Sequence, residues 1–432
     1  MCRSILLLAL LACSLAFASG AGGAPAHCKT IQTRAITTGR QLWSFAKQHM
    51  GLDEEGPASA LRNNGLPAGE QRYCKLRADP NAKLEAELGR IQGQPDAKTR
   101  LRLVLRLNDK AYRSVDPKKG RRKVLTVHIS GPSGVGKTMA ARAMARAVVD
   151  SDAGEPEDVY QLCGVLSFIG HMYSSSTLQS DGTCKEEDSP EARQKVEKYK
   201  VAIMQQVAAY VKDCPRSVFI FEDVQHMSGA LIEKLLPLFD NENRPMAVGA
   251  DGEEQSTSDA VFVLVSDLGE QALEAGLDRT EAKKRIKEAT KLHWPGAKLP
   301  KVMNDIIAFL PLTTEQMAGV ARRELAKQKK TVAEVHKEEL PSDWMGELAW
   351  SADVPLRIAE LVQGDKKLQE RQGRGVSECV EDAVENAFDK VGSELTRTQN
   401  LKLVVGKGDG RAIKGEVETI VDADEFVSDR EL

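Results

Sequence analysis

The sequence predicts an α/β fold, a parallel sheet covered by helices and followed by a smaller C-terminal helical unit. Three observations carry this expectation. Short apolar runs without alternation, SVFIF and VFVLV, lie between long amphipathic stretches, the pattern of strands buried on both faces. The stretch VLTVHISGPSGVGKTMA, residues 124–140, runs a β-branched segment into a glycine-rich loop and on into an alanine-rich helix. Residues 311–393 show helical periodicity only.

A chain of 432 residues exceeds what one hydrophobic core usually serves, so two or more folding units are expected. Sixty basic and 63 acidic residues leave a formal charge of −3, which gives no electrostatic reason to expect a nucleic acid or an anionic membrane as partner.

Taken in chain order, Arg3 precedes an apolar run over 5–17 and small residues follow, the layout of a secretory signal cleaved near Ala18. That run is shorter than the ~20 residues that span a bilayer. Residues 19–95 are turn-rich, as in NNGLPAGEQ, and read as a partly helical leader segment, with KLEAELGRIQ over 83–92 helical. Residues 96–310 form the main unit: a helix up to AYR, the strand and loop already described, the helix VEKYKVAIMQQVAAYVKDC, and the two apolar strands. An acidic, polar insertion lies around 180–195. Residues 311–393 form the helical unit, and in the tail, 394–432, LKLVVGKGDGRAIKGEVETIV alternates around a glycine-rich centre like a hairpin. The chain stops in Asp-Arg-Glu-Leu, similar to retrieval signals of the endoplasmic reticulum although Arg430 replaces an acidic residue. With the leader, it places the expected address in the lumen of that compartment.

Of eight cysteines, Cys2 and Cys13 leave with the leader. The remaining six show no CxxC and no metal-ligand spacing with the seven histidines, so no zinc site is expected, and their pairing cannot be read from spacing. Asparagine opens no N-x-Ser/Thr triplet.

The chemistry concentrates in the loop. Gly131, Pro132, Ser133, Gly134, Val135, Gly136, Lys137 and Thr138 match G-x-x-x-x-G-K-[ST] between a predicted strand and a predicted helix. Glycines there let backbone N–H groups converge on phosphate oxygens, the helix N-terminus adds positive potential, Lys137 reaches the β/γ-phosphates of ATP, and Thr138 offers a hydroxyl to Mg²⁺. Such a loop needs an acid at the end of a neighbouring strand. VFIF ends in Glu222-Asp223, so Glu222 is expected in the Mg²⁺ shell, partly through water, with Asp223 beside it as a catalytic acid. Asp267, which ends VFVLVSD, is the third catalytic candidate, near the γ-phosphate; an ordinary turn residue is an equally good account of it.

In order along the chain, the phosphate loop, RSVFIFEDVQHMSGALIEKLLPLFD, VFVLVSDLGEQ and MNDIIAFLPLTTEQMAGVARRELAKQ resemble the AAA+ ATPases of the torsin branch, relatives of Clp-type unfoldases, over roughly residues 88–393. The resemblance implies an AAA+ nucleotide-binding subdomain over 96–310 and a small helical subdomain over 311–393. It also implies ATP and Mg²⁺ as cofactors, assembly into homo- or hetero-oligomers, and life in the lumen of the endoplasmic reticulum or nuclear envelope. Several positions depart from the family. Thr138 stands where animal torsins usually have Asn, the acidic pair is reversed as Glu222-Asp223, and Asp267 replaces the Asn of sensor 1. The sensor 2 motif Gly-Cys-Lys aligns loosely with Glu378-Cys379-Val380, and the partner cysteine expected after FLPL is missing. KLPKVMND carries Lys298 and Lys301 but no arginine finger; torsins share that lack and are activated by membrane-anchored luminal partners that donate an arginine, so the same partner class is implied here. Tyr173 is the one nearby aromatic for a pore loop, and a surface loop residue is the better account of it.

Two functions are therefore expected: a slow, partner-activated remodelling ATPase of torsin type with an unnamed client, or a nucleotide-gated binding protein with little hydrolysis.

Overall fold

The computed structural model describes residues 74–114, 122–151, 156, 158–174, 189–296, 298–335, 340, 344–391, 394–396, 399–406 and 413–419, all within the compact unit Arg72–Leu432. The leader over 1–18, most of the polar insertion and the Asp-Arg-Glu-Leu end lie outside the described residues.

Two helices precede the first strand. Helix α1 (Pro80–Gly89) starts where the Asp79 carboxylate accepts from the amides of Asn81 and Ala82, with Pro80 in the first turn where its missing N–H costs nothing. Helix α2 (Pro95–Ser114) follows the break at Gly93 and Gln94, both at positive φ. Strand β1 (Leu125–Ser130) is buried throughout and leads through the glycine loop into α3 (Lys137–Val148). Then come β2 (Val165–Ile169), α4 (Pro190–Asp213, capped by the Ser189 hydroxyl), β3 (Val218–Glu222) and α5 (Gly229–Leu235). A small ribbon, β4 (Met246–Val248) with β5 (Glu254–Ser256), precedes β6 (Val261–Ser266). Helices α6 (Arg279–His293) and α7 (Leu299–Val302) lead to β7 (Asp305–Ala308).

The main sheet is five-stranded and parallel, in the order β2-β3-β6-β1-β7. Strands β3 and β6 alternate by side-chain size rather than polarity, because both faces are covered, and the polar residues of β1, Thr126, His128 and Ser130, are buried as well. On one face Val127, Ile129, Ile220, Val263 and Val265 meet the alanines of α3, small enough to bring that helix close. On the other, Phe219, Phe221, Phe262 and Leu264 pack with α4 and α5, with Phe219 stacked on Phe262 at 5.0 Å between centroids. The parallel sheet with helices on both faces is the fold the sequence predicts.

Sequence reasoning missed β2 and β7. It also expected only helices over 311–393, and here the structure differs. Helices α8 (Thr314–Val335), α9 (Val354–Gly364), α10 (Lys366–Glu370) and α11 (Gly373–Val391) are joined by β8 (Leu348–Trp350). That strand pairs in parallel with β9 (Gln399–Val405), which pairs antiparallel with β10 (Ile413–Thr419). Three residues are too few to display a period of two, and only the far-off partner strand makes them a strand.

Cys74 and Cys214 form a disulfide that ties the segment before α1 to the end of α4. Tyr173 belongs to neither a pore loop nor an open surface loop. Its ring packs edge-on against Phe168 and Tyr199, and burial pushes its hydroxyl up to about 12. Among the described residues, no helix is long and apolar enough to cross a membrane.

Candidate functional site

Because β1, β3 and β6 are adjacent and parallel, the segments that follow them emerge side by side at the C-terminal edge of the sheet. The chain leaves β1 for the far edge and returns to the other side of β1 only at β7, so a crevice opens beside β1.

The loop after β1 folds as its glycines dictate. A Cβ on Gly131 would stand 2.1 Å from the carbonyl oxygen of Phe309, so only glycine lets the loop pass that backbone. Gly134, at φ +75°, is in the left-handed region, and a Cβ there would meet the Arg371 carbonyl at 2.1 Å. Gly136 holds the N-cap position of α3, which has no side-chain cap, so the first-turn amides of that helix face the crevice without an intrahelical partner.

Lys137 is buried to 7 % exposure, and its ammonium is gathered by three oxygens. It donates to the carbonyls of Gly131, at 2.8 Å, and Pro132, and pairs with Asp267 Oδ1 at 2.7 Å. Burial pulls its pKa below the usual lysine value, and Asp267 opposes that. Asp267 is held in turn by a buried network between β1 and β6. His128 Nε2 lies 2.7 Å from Ser266 Oγ, Ser266 Oγ lies 3.0 Å from Ser130 Oγ, and Ser130 Oγ donates to the Leu268 carbonyl at 2.6 Å. These bonds fix the turn on both sides of Asp267.

The two acids after β3 part company. Glu222, the last residue of the strand, accepts a hydrogen bond from the Tyr160 hydroxyl and has Arg142 Nη2 at 3.9 Å. Burial, together with the Glu222 charge, pushes the Tyr160 hydroxyl up to about 12. Asp223, at φ 51°, turns into the crevice, where His171 Nε2 lies 4.0 Å from its Oδ2 and the His171 ring stacks on His226 at 3.5 Å. Burial, then the neighbouring His171, lowers the His226 pKa.

The resulting cleft has a volume of about 590 Å³ and is lined by the loop residues from Ser133 to Thr138, by Asp223 and by Asp267. Glu222 is not among its lining residues. The remaining walls were not foreseen: Ile91 and Gln92 from the break between α1 and α2, Arg323 and Lys327 from α8, and Arg374 from the first turn of α11. The IQGQP interruption between two helical stretches was the one signal for the first wall. The sensor 2 alignment at 378–380 does not reach the cleft: Glu378 pairs with Arg371, burial raises the Cys379 thiol to about 11, and the cation that α11 brings to the cleft is Arg374.

Residues 121–250 match the family model of an AAA domain. The parallel sheet, glycine loop and flanking helices are those of an α/β P-loop fold of AAA+ type. Similarity to other proteins extends beyond the matched stretch. The chain is 25 % identical over 346 residues to the chaperone protein ClpB of Corynebacterium diphtheriae, covering 74 % of this chain and 34 % of the relative. It is 25 % identical over 305 residues to ClpB of Streptomyces albus G, covering 67 % and 31 %. It is 22 % identical over 259 residues to the chloroplastic ClpB2 of Oryza sativa subsp. japonica, covering 56 % and 24 %. The chain thus spans between about a quarter and about a third of the length of these relatives.

A nucleotide fits the AAA+ cleft on the geometry alone. The glycines let the loop pack against Phe309 and Arg371, the uncapped first turn of α3 and Lys137 line the cleft, and the volume lies in the range of small-ligand sites. For a divalent cation, Thr138 and Asp223 line the cleft, whereas Glu222 reaches it only if Tyr160 releases its carboxylate.

Proposed function

We propose that this chain binds MgATP at residues 131–138 and acts as a slow, chaperone-like remodelling ATPase of torsin type. The observation that carries the binding is the buried Lys137 ammonium at the N-terminus of α3, held by loop carbonyls and by one carboxylate that a phosphate can replace. Mg²⁺, when bound, neutralises phosphate charge. Thr138 and, once Tyr160 releases it, Glu222 would hold it, partly through water; Lys137 and the α3 amides orient the β/γ-phosphates; Asp223 positions the attacking water. The slowness follows from Asp223, one methylene shorter than glutamate, and from the engagement of Glu222 by Tyr160.

Lys137→Ala tests the binding. It should abolish stabilisation by ATP in a thermal melt while the apo protein stays folded; undiminished stabilisation would remove the site as drawn. A second reading, a nucleotide-gated binder that hardly hydrolyses, is favoured by the same Tyr160–Glu222 contact. Single-turnover phosphate release separates the two.

The torsin resemblance supports homo- or hetero-oligomers and a membrane-anchored luminal partner donating an arginine. The leader-like residues 1–18 and the Cys74–Cys214 disulfide support a place in the endoplasmic reticulum lumen, extending to the nuclear envelope. An N-glycosylation acceptor engineered into an exposed loop should be modified there; an unmodified chain would count against the address.

A further inference from the structure

Three cysteines meet at the end of β2 and β3 opposite the cleft. Cys214 closes α4, its amide bonded to the Tyr210 carbonyl at 2.8 Å, and is bridged to Cys74. Cys74 is held in place by its neighbours: the Asp150 amide donates to the Lys75 carbonyl at 2.8 Å, and Arg77 pairs with Asp150 at 2.9 Å. The third, Cys163, is outside the disulfide, and its Sγ lies 3.5 Å from Cys74 Sγ. Between them sits Gly164, at φ +89°, where a Cβ would come within 2.6 Å of Cys214 Sγ and 2.7 Å of Cys74 Sγ. The absent side chain is the space in which the three sulfurs meet.

We propose that Cys74, Cys163 and Cys214 form an intramolecular thiol–disulfide exchange site. The Cys163 thiol loses its proton to solvent, and the thiolate attacks Cys74 Sγ. The Cys74–Cys163 bond forms as the Cys74–Cys214 bond breaks, and Cys214 leaves as a thiolate that takes up a proton. One disulfide and one thiol stand on each side, so neither oxidant nor reductant is consumed. The exchange moves the covalent tether from the end of α4 to the segment three residues beyond Tyr160, the residue that holds Glu222. It depends on the three sulfurs and not on nucleotide binding.

The test is thiol mapping of the full chain without reductant. The protein is incubated with N-ethylmaleimide at mildly alkaline pH, acid-quenched and digested, and linked and labelled peptides are identified by mass spectrometry. The expected result is label on Cys214 growing with time, matched by an equal amount of Cys74–Cys163 peptide, and loss of that Cys214 signal in Cys163→Ser. Cys379, half-buried and with its thiol raised to about 11 by burial, reports the background labelling of a partly accessible cysteine. Cys74–Cys214 as the sole bridge, with label on Cys163 and none on Cys214, would overturn the proposal. Equal Cys214 labelling in the wild type and Cys163→Ser would overturn it too, since that release would not involve Cys163. If Cys163→Ser fails to fold, the wild-type map decides alone, and Cys163→Ala supplies the control.

Discussion

Asp267→Asn should tighten nucleotide binding. In the apo cleft the Lys137 ammonium is already neutralised by Asp267 Oδ1 at 2.7 Å, so an incoming phosphate must compete with a carboxylate for its cation. Two unit charges at that distance attract by about 6 kcal/mol at an effective dielectric constant of 20. Only part of this opposes the ligand. The Asp267 side chain is 33 % exposed, and displaced from Lys137 it regains water, which screens the pair and offsets much of its loss. A net resistance of about 1–2 kcal/mol remains, or roughly 5- to 30-fold in Kd. The asparagine amide removes the competing charge and preserves the shape. Without Asp267 the buried ammonium loses the charge that opposes its depressed pKa, but a bound phosphate supplies a replacement. Titration of a fluorescent ATP analogue into wild type, Asp267→Asn, Lys137→Ala and the double variant, with Mg²⁺ present, measures the effect as a cycle. An unchanged or weaker Kd in Asp267→Asn would refute the competition, as would the same gain without Lys137.

Restoring the usual acid order by Glu222→Asp with Asp223→Glu changes each reach by about 1.5 Å, and since a misplacement of ~1 Å can cost ~10²-fold, single-turnover hydrolysis should rise, most clearly when Asp267→Asn is added and an arginine-donating partner is present. A natural protein already as fast as an ordinary AAA+ enzyme, and slowed by the swap, would show that the cleft has adapted to the reversed pair. Tyr160→Phe removes the hydroxyl that occupies Glu222 and should raise the Mg²⁺ dependence of nucleotide binding; identical Mg²⁺ titrations would place Glu222 outside the metal shell. Burial holds the pKa of His128 at about 4 against 6.5 for an open histidine, so the unfolded chain binds the proton first as pH falls. Stability should therefore drop between those values, by about 2 kcal/mol at about pH 5 relative to neutral pH, and His128→Gln should flatten that part of the unfolding curve.

The loop was legible because it demands particular residues at consecutive positions; β3 and β6 were legible because burial on both faces leaves them uninterrupted apolar runs, and β1, interrupted by Thr126, His128 and Ser130, was legible from its β-branched residues and the loop it feeds. The edge strands obey weaker rules. β2 carries Ser167 at its centre, and β7 has four residues and opens with Asp305, a buried carboxylate made tolerable only by Arg100 and Lys283 from α2 and α6. No local pattern announces a charge neutralised by residues 205 and 22 positions away. The same holds at the site. Glu222 and Asp223 were recognised as a pair, but their division of labour depends on Tyr160, which lies 62 residues before Glu222. Arg374 reaches the cleft because α11 begins against Gly134, a matter of how two units stack rather than of any motif.

That stacking makes the phosphate loop a mechanical joint. Gly134 has the Arg371 backbone pressed against it, and a Cβ on Gly373 would in turn stand 2.6 Å from the Gly134 carbonyl oxygen, so neither side has slack to absorb a displacement. The 19 residues of α11 run from this joint for about 28 Å at 1.5 Å per residue. A tilt of about 5° imposed at its first turn would swing its far end by about 2.5 Å. An adjustment of the loop that tilted this helix would therefore be carried, through the core residues Val376 to Phe388, to the outer end of the helical unit.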